Sequence, residues 1–276
     1  MIKSIGIVAN PNKKKALKHQ KDIENYLLKR NIVVYTDRRL SRKDVVEKSD
    51  LIITLGGDGT LLNIIKFIKK RVEVLGVNVG GFGFLTEVKI DEVYSILDDV
   101  LNNNYSISLK RLIKASVYRE GKIIETLTSL NDTVVNKGSL SRILNLSLAI
   151  DGETVATYLC DGLIISTSTG STAHSLSAGG PIVAPGVDAL ILTPICPHTL
   201  SNRPLVLPSY KKIEVKIKSK EAQDVALTAD GQVAVRLKYG DRITIKRAPI
   251  NLRLIRSNKR SYFKILKEKL KWGKLR

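Results

Sequence analysis

Asp50-Leu51-Ile52-Ile53-Thr54-Leu55-Gly56-Gly57-Asp58-Gly59-Thr60 is the stretch that decides the fold class. A short, nearly uninterrupted apolar run is the pattern of a strand buried on both faces. It leads straight into a glycine cluster. Leu61–Lys70 then has helical spacing and a basic C-terminal end, which suits the helix dipole. Strand, glycine loop and helix in that order form half of a parallel β-α-β unit.

The same alternation extends on both sides. Ser4–Ala9 reads as a buried strand, Lys15–Lys29 as a helix and Ile32–Tyr35 as a second strand. Arg42–Lys48 reads as a short helix. Val74–Val79 is the strand after the quoted one, and it ends in another glycine cluster, Gly80-Gly81-Phe82-Gly83. Asp91–Asn102 is helical. This predicts a doubly wound parallel sheet over residues 1–105. Ligands in such sheets bind outside the carboxyl ends of the strands, where both glycine loops fall.

From about Ser106 the period changes. Short β-rich runs recur at 113–119, 123–130, 144–150, 163–166, 213–218, 225–229, 233–237 and 242–246. Turn pairs such as Asp151-Gly152 and Asp230-Gly231 separate many of them. An antiparallel β domain over 106–250 is expected. In the 251–276 tail, Phe263, Leu266 and Leu270 have helical spacing, and the tail is expected to pack back on the first domain.

Composition narrows the class. The 276 residues suffice for one large or two modest domains. No apolar run reaches membrane-spanning length and the N-terminus lacks a signal pattern, so a cytoplasmic protein is expected. Two distant cysteines and three histidines make no metal-site signature, so reduced, buried thiols are expected and no metal-ligating residue is assigned. The net charge is +20, and from Arg247 to Arg276 eleven Lys/Arg stand against one Glu. An anionic small-molecule substrate or a solvated surface explains this ahead of nucleic acid, because no aromatic residues interleave the basic ones.

Four segments could carry chemistry. In Gly56–Thr60, glycines let backbone approach an oxyanion at a helix N-terminus. A carboxylate there repels phosphate, so Asp58 suits a general base or a Mg²⁺ contact, against the plain alternative of an N-cap. Asn78–Glu87 is a second loop brought beside the first. Leu130-Asn131-Asp132-Thr133 offers Asn and Asp to a base or ribose, or is simply an Asx turn. Asp161 and the segment Ser166–Pro181 crowd small hydroxyl residues around Gly170. His174 with Asp161 and serine suggests a hydrolase, but no G-x-S-x-G elbow is present.

Together these segments resemble the NAD kinase family. Gly56–Thr60 matches its GGDGT loop, Asn131-Asp132 its Asn-Glu pair, and Thr167–Pro181 its long T-x-T-G-S-T-A-Y-S signature. Pro197-His198 through Arg203-Pro204 and Asp230-Gly231-Gln232 match later segments. GGDGT alone is shared with lipid kinases. The resemblance implies a phosphofructokinase-like α/β domain followed by an all-β sandwich. It implies phosphorylation of the 2′-hydroxyl of NAD's adenosine ribose, with ATP or polyphosphate as donor and Mg²⁺ accompanying it. Asp58 would be the base, and Gly57, Gly59 and Thr60 would shape the phosphate loop. Asn131, Asp132, Asp161, Thr172, Ala173, His174 and Ser177 would bind NAD, with Asp161 able to come from the neighbouring subunit of a homodimer or homotetramer. Three positions depart from the pattern: Asp132 replaces Glu, His174 replaces Tyr, and Gly81-Phe82 removes a loop Arg. The alternatives are another GGDGT kinase acting on a lipid or sugar phosphate, and a basic nucleic-acid binder.

Overall fold

A computed structural model describes residues 2–81, 83–138, 142–199, 201–220, 224–257 and 261–271. Its contacts divide the chain into two units, Met1–Lys110 with Ile250–Arg276, and Arg111–Pro249.

The first unit begins with β1 (Ser4–Ala9), α1 (Lys14–Leu28), β2 (Val33–Thr36), α2 (Arg42–Lys48), β3 (Leu51–Gly56), α3 (Asp58–Ile65), β4 (Glu73–Asn78), β5 (Val88–Lys89) and α4 (Val93–Leu101). The strands lie in the order β2-β1-β3-β4, all parallel, with β5 also parallel to β4. All six residues of β3 are buried, as the uninterrupted apolar run requires. In α1, Ala16, Gln20, Ile23, Glu24 and Leu27 are buried, one stripe at helical spacing. Ala16, Ile23 and Leu27 join Ile5, Ile7, Ile53 and Leu55 in a core that α4 completes with Val93, Leu97 and Val100.

One boundary differs from the sequence expectation. The helix after the glycine loop begins at Asp58 and ends at Ile65, not at Lys70. The parallel register sets Leu51 opposite Glu73. The chain must leave the helix early to travel back to the start of that strand.

The carboxyl edge of this sheet is tied by Arg42. Its guanidinium donates to Asp37 Oδ2 at 3.3 Å, to Asn63 Oδ1 at 2.9 Å and to the Ala9 carbonyl at 3.2 Å. Asp37 Oδ1 also accepts from buried Gln20 at 2.7 Å and from the Ala9 amide at 3.3 Å. The end of β1, α1, α2 and α3 are thereby fixed to one another around the loops that leave the sheet.

The second unit holds β6 (Ile107–Arg119), β7 (Lys122–Ser129), β8 (Asp132–Asn136), β9 (Leu144–Ile150), β10 (Glu153–Cys160), β11 (Gly162–Thr167), α5 (His174–Ser177), β12 (Ala189–Ile195), β13 (Leu205–Pro208), β14 (Ile213–Ile217), β15 (Ala226–Ala229), β16 (Val233–Arg236) and the start of β17 (Arg242–Ile255). One antiparallel sheet runs β13-β12-β11-β8-β15-β16. Strands β10-β9-β14-β17 are likewise antiparallel, with the β6-β7 hairpin alongside β17. Val135, Leu163, Leu192 and Leu227 of the first set share a core with Leu146, Val215 and Ile243 of the second. That is a β sandwich.

The end of β17 belongs to the first unit, where Arg253-Leu254 pairs in parallel with Glu73-Val74. There α6 (Tyr262–Leu270) buries Ile265 and Leu266 and sets the Tyr262 ring 6.4 Å from Phe84. The expected apolar face is rotated: Phe263 is exposed. Residues 258–260 and 272–276 of the basic tail lie outside the described residues. The cysteines also divide. Cys160 is buried, which pushes its thiol up to about 11, whereas Cys196 is exposed rather than buried as expected.

Arg42→Met keeps the length of the side chain and removes all three hydrogen bonds. Chemical denaturation should show a loss of about 1–3 kcal/mol, with Asp37 left short of a donor. An unchanged midpoint would show that the edge does not depend on Arg42.

Candidate active site

The first unit builds its site at the carboxyl ends of β3 and β4. Gly57 is extended and caps α3, so Asp58 is the first helical residue rather than the N-cap. Its carboxylate turns to the 83–86 loop. Oδ2 accepts from the Phe84 amide at 2.8 Å. Oδ1 accepts from the amides of Leu85 and Thr86 at 3.1 and 3.0 Å and from the Thr86 hydroxyl at 2.9 Å. Gly83 permits this closure, because a Cβ there would lie 1.8 Å from Asp58 Oδ1. The second glycine loop is thus brought beside the first. Phe82 lies outside the described residues.

Among the described residues, nothing stands within 4 Å of a Cβ built at Gly57 or Gly59. Backbone at the start of α3 is therefore open to an oxyanion. Thr60 is buried, with its hydroxyl packed against Gly56. Lys13, which the sequence did not single out, and Asn78, the first residue of the second loop, join this edge. Lys13 Nζ donates to the Val79 carbonyl at 2.9 Å, which puts a cation at the second loop. Asn78 is buried and its side-chain amide donates to Thr86 Oγ1 at 3.2 Å.

The second unit builds a separate constellation. Asn131 precedes β8 and Asp132 opens it. Asp132 is 5% exposed, and burial is the one cause that shifts its carboxyl, with no donor offsetting it among the described residues. Burial raises its pKa to about 6. A buried, unpartnered carboxylate is costly and marks a place where a ligand donor fits. Asp230 supports the segment: its carboxylate accepts from the amides of Leu130, Asn131 and Asp132 at 2.8, 2.7 and 3.1 Å. Burial raises Asp230 to about 6 as well; the three amides pull it down and the charge of Asp132 pushes it up.

The Ser/Thr-rich segment is an ordered element, not a linker. Ser166, Thr167, Ser171 and Ser175 are fully buried. Thr167 Oγ1 accepts from the Gly170 amide at 3.1 Å, and Ser175 bonds Thr193 at 2.9 Å. Gly170 packs so closely on Asn131 that a Cβ would lie 2.1 Å from its carbonyl oxygen. The 169–172 turn and α5 therefore start beside Asn131. Thr172 and Ala173 are half-buried, and His174 and Ser177 are exposed on α5.

Asp161 is not part of this group. Asp132 sits opposite Ser166, whereas Gly162 sits opposite Asn136 at the other end of β11. Five residues of strand, about 16 Å, separate Asp161 from the Ser166 position. Asp161 pairs there with Lys137 at 2.8 Å. The Pro-His segment is described apart from Leu200.

The sequence has clear relatives. Residues 38–105 match the ATP-NAD kinase N-terminal domain and residues 130–257 the ATP-NAD kinase C-terminal domain. A NAD kinase of Geotalea daltonii is 46% identical over 252 residues, covering 91% of this chain and 87% of its own. A NAD kinase of Syntrophotalea carbinolica is 42% identical over 284 residues, covering 99% of each. The crystal structure of yeast NADH kinase complexed with NADH superposes with a TM-score of 0.91 at 26% identity, covering 100% of this chain and 89% of its own. An Archaeoglobus fulgidus NAD kinase in complex with ATP gives 0.78 at 27% identity, covering 97% and 98%. These likenesses support neither a lipid or sugar-phosphate kinase nor a nucleic-acid binder. With both halves matched and the relatives aligned along nearly its whole length, this chain belongs to the NAD kinase family.

Proposed function

We propose that Asp58 is the general base in the conversion of NAD to NADP, taking the proton of the adenosine-ribose 2′-hydroxyl as its oxygen attacks the donor's terminal phosphorus. The observation that carries this reading is a carboxylate at the first turn of α3, inside a glycine loop whose Gly57 and Gly59 have open space beside them among the described residues. A carboxylate has about four acceptor positions. Oδ1 of Asp58 accepts three donors and Oδ2 accepts one. Oδ2, with one donor against three, is the oxygen a hydroxyl would approach, and the bonds to Oδ1 hold the carboxylate still. Gly57, Gly59 and Thr60 shape the α3 N-terminus, which receives the phosphates.

The donor is a nucleoside triphosphate, ATP first, with polyphosphate as the alternative, and it arrives with Mg²⁺. Mg²⁺ keeps several waters and binds through substrate phosphates and one or two carboxylates. Among the described residues no cluster of three or more His, Cys, Asp or Glu could hold a metal ion by itself, so the ion would be held chiefly by the donor's phosphates. When bound, the ion would neutralise charge on the transferring group.

NAD is held by Asn131 and Asp132, with Thr172, Ala173, His174 and Ser177 lining the dinucleotide. Asp132 is a methylene shorter than the Glu of the family pattern. Its lack of a protein partner leaves it free to accept from a ribose hydroxyl. Asp161 serves a site to which a second copy contributes, in a homodimer or homotetramer. The distance along β11 supports this, since it separates Asp161 from Asn131 within one chain. The cytoplasm is the expected location; among the described residues no helix is long and apolar enough to cross a membrane.

Asp58→Asn should lower NADP formation by about 10²–10⁴-fold, in the range general bases supply, with circular dichroism unchanged. Near wild-type turnover in a folded variant would remove Asp58 from the base role. Running that assay with ATP and polyphosphate in parallel identifies the donor.

The raised carboxyls make pH a second test. Only ionised Asp132 is a full acceptor, so NAD affinity should rise as pH passes upward through about 6. The unliganded protein should move the other way. A folded pKa above the unfolded value means that stability is fully present below about 4 and falls as pH rises through about 6. Asp132→Asn should flatten the affinity profile and remove part of the stability slope, read by NAD titration and thermal melts. Persistence of both profiles in the variant would exclude Asp132 as their source.

A further inference from the structure

Asp230 is claimed by no step above. It occupies a hairpin corner with φ +51°, just before Gly231, and a turn-forming Asp needs no other duty there. Its carboxylate, however, does not cap its own turn. It reaches back to three consecutive amides, about a hundred residues earlier in the chain.

Every backbone polar group of Leu130, Asn131 and Asp132 can be accounted for. The three amides donate to Asp230. The Leu130 carbonyl accepts from Thr167 Oγ1 at 2.6 Å. The Asn131 carbonyl accepts from the Thr167 amide at 2.8 Å and from Ser166 Oγ at 3.2 Å. The Asp132 carbonyl accepts from the Asp230 amide at 3.0 Å. Main chain satisfied on all sides is rigid main chain. What remains without a partner, among the described residues, is the pair of side chains on Asn131 and Asp132.

We infer that Asp230 is a positioning residue for the dinucleotide: by gathering the amides of Leu130–Asp132 it fixes the backbone from which Asn131 and Asp132 reach NAD before NAD arrives. This rests on the reading that those two side chains hold NAD. The geometry favours a carboxylate over an amide. Oδ1 accepts two of the donors and Oδ2 the third, so both oxygens must be acceptors. An asparagine would point an NH₂ at one of the amides. Preorganisation of this kind acts on affinity, because the ordering cost is met before binding.

The test is steady-state kinetics on the full chain for Asp230→Asn, with Asp132→Asn beside it. Asp230→Asn should raise KM for NAD by about tenfold or more, the scale of one lost charge-assisted hydrogen bond. It should leave kcat within about twofold and KM for ATP unchanged. A merely structural role would lower kcat or move both KM values together, and either result overturns the inference. An unchanged KM for NAD overturns it too. If Asp132→Asn raises KM for NAD and Asp230→Asn does not, only this inference fails. If Asp132→Asn has no effect on KM for NAD, the reading of the NAD contacts fails and takes this inference with it. Should Asp230→Asn not fold, amide hydrogen exchange on the wild-type chain decides. Amides 130–132 should be protected without NAD; free exchange until NAD is added would overturn the inference.

Discussion

The bond set between Asp58 and the amides of Phe84, Leu85 and Thr86 is the constraint from which the first unit's site follows. It joins two glycine loops from adjacent parallel strands. It also explains why a negative side chain is stable inside a loop otherwise suited to anions: three backbone dipoles and a hydroxyl compensate its charge. The price is steric, since the residue at 83 must lack a side chain for the loop to close.

The second unit uses the same device for another purpose. Asp230 also collects three successive amides, but it sits at the corner of a hairpin and serves the segment that it gathers. In one unit the clamped carboxylate is the group proposed to react. In the other it gathers the backbone beneath two neighbouring side chains, and one of them, Asp132, is buried. Its raised pKa follows from that exposure to low dielectric with no compensating donor.

Much of this was legible from the chain. The uninterrupted apolar run 51–55 announced a strand buried on both faces, and turn pairs such as Asp151-Gly152 and Asp230-Gly231 marked hairpins. The site was only partly legible. Asp58 stood out because a carboxylate inside a glycine loop conflicts with simple phosphate binding. Asp230 carried no role beyond its place in the Asp230-Gly231-Gln232 match, because Asp-Gly is the ordinary signature of a tight turn. Lys13 did not stand out, because one lysine among three consecutive ones carries no distinguishing mark. The helix end at Ile65 was misjudged because local periodicity continues past the point where strand register forces the chain back.

The sequence by itself determined the class of each half, the position of Asp58 inside a glycine loop and the membership of the NAD kinase family. These depend on residue type and local period, which the chain states directly. Only the tertiary structure decided which donors each carboxylate meets, that Asp161 lies a strand's length from Asn131, and that Asp132 is buried without a partner. Those facts depend on hydrogen bonds between residues 26 to 100 positions apart, and on strand register. No local pattern encodes either.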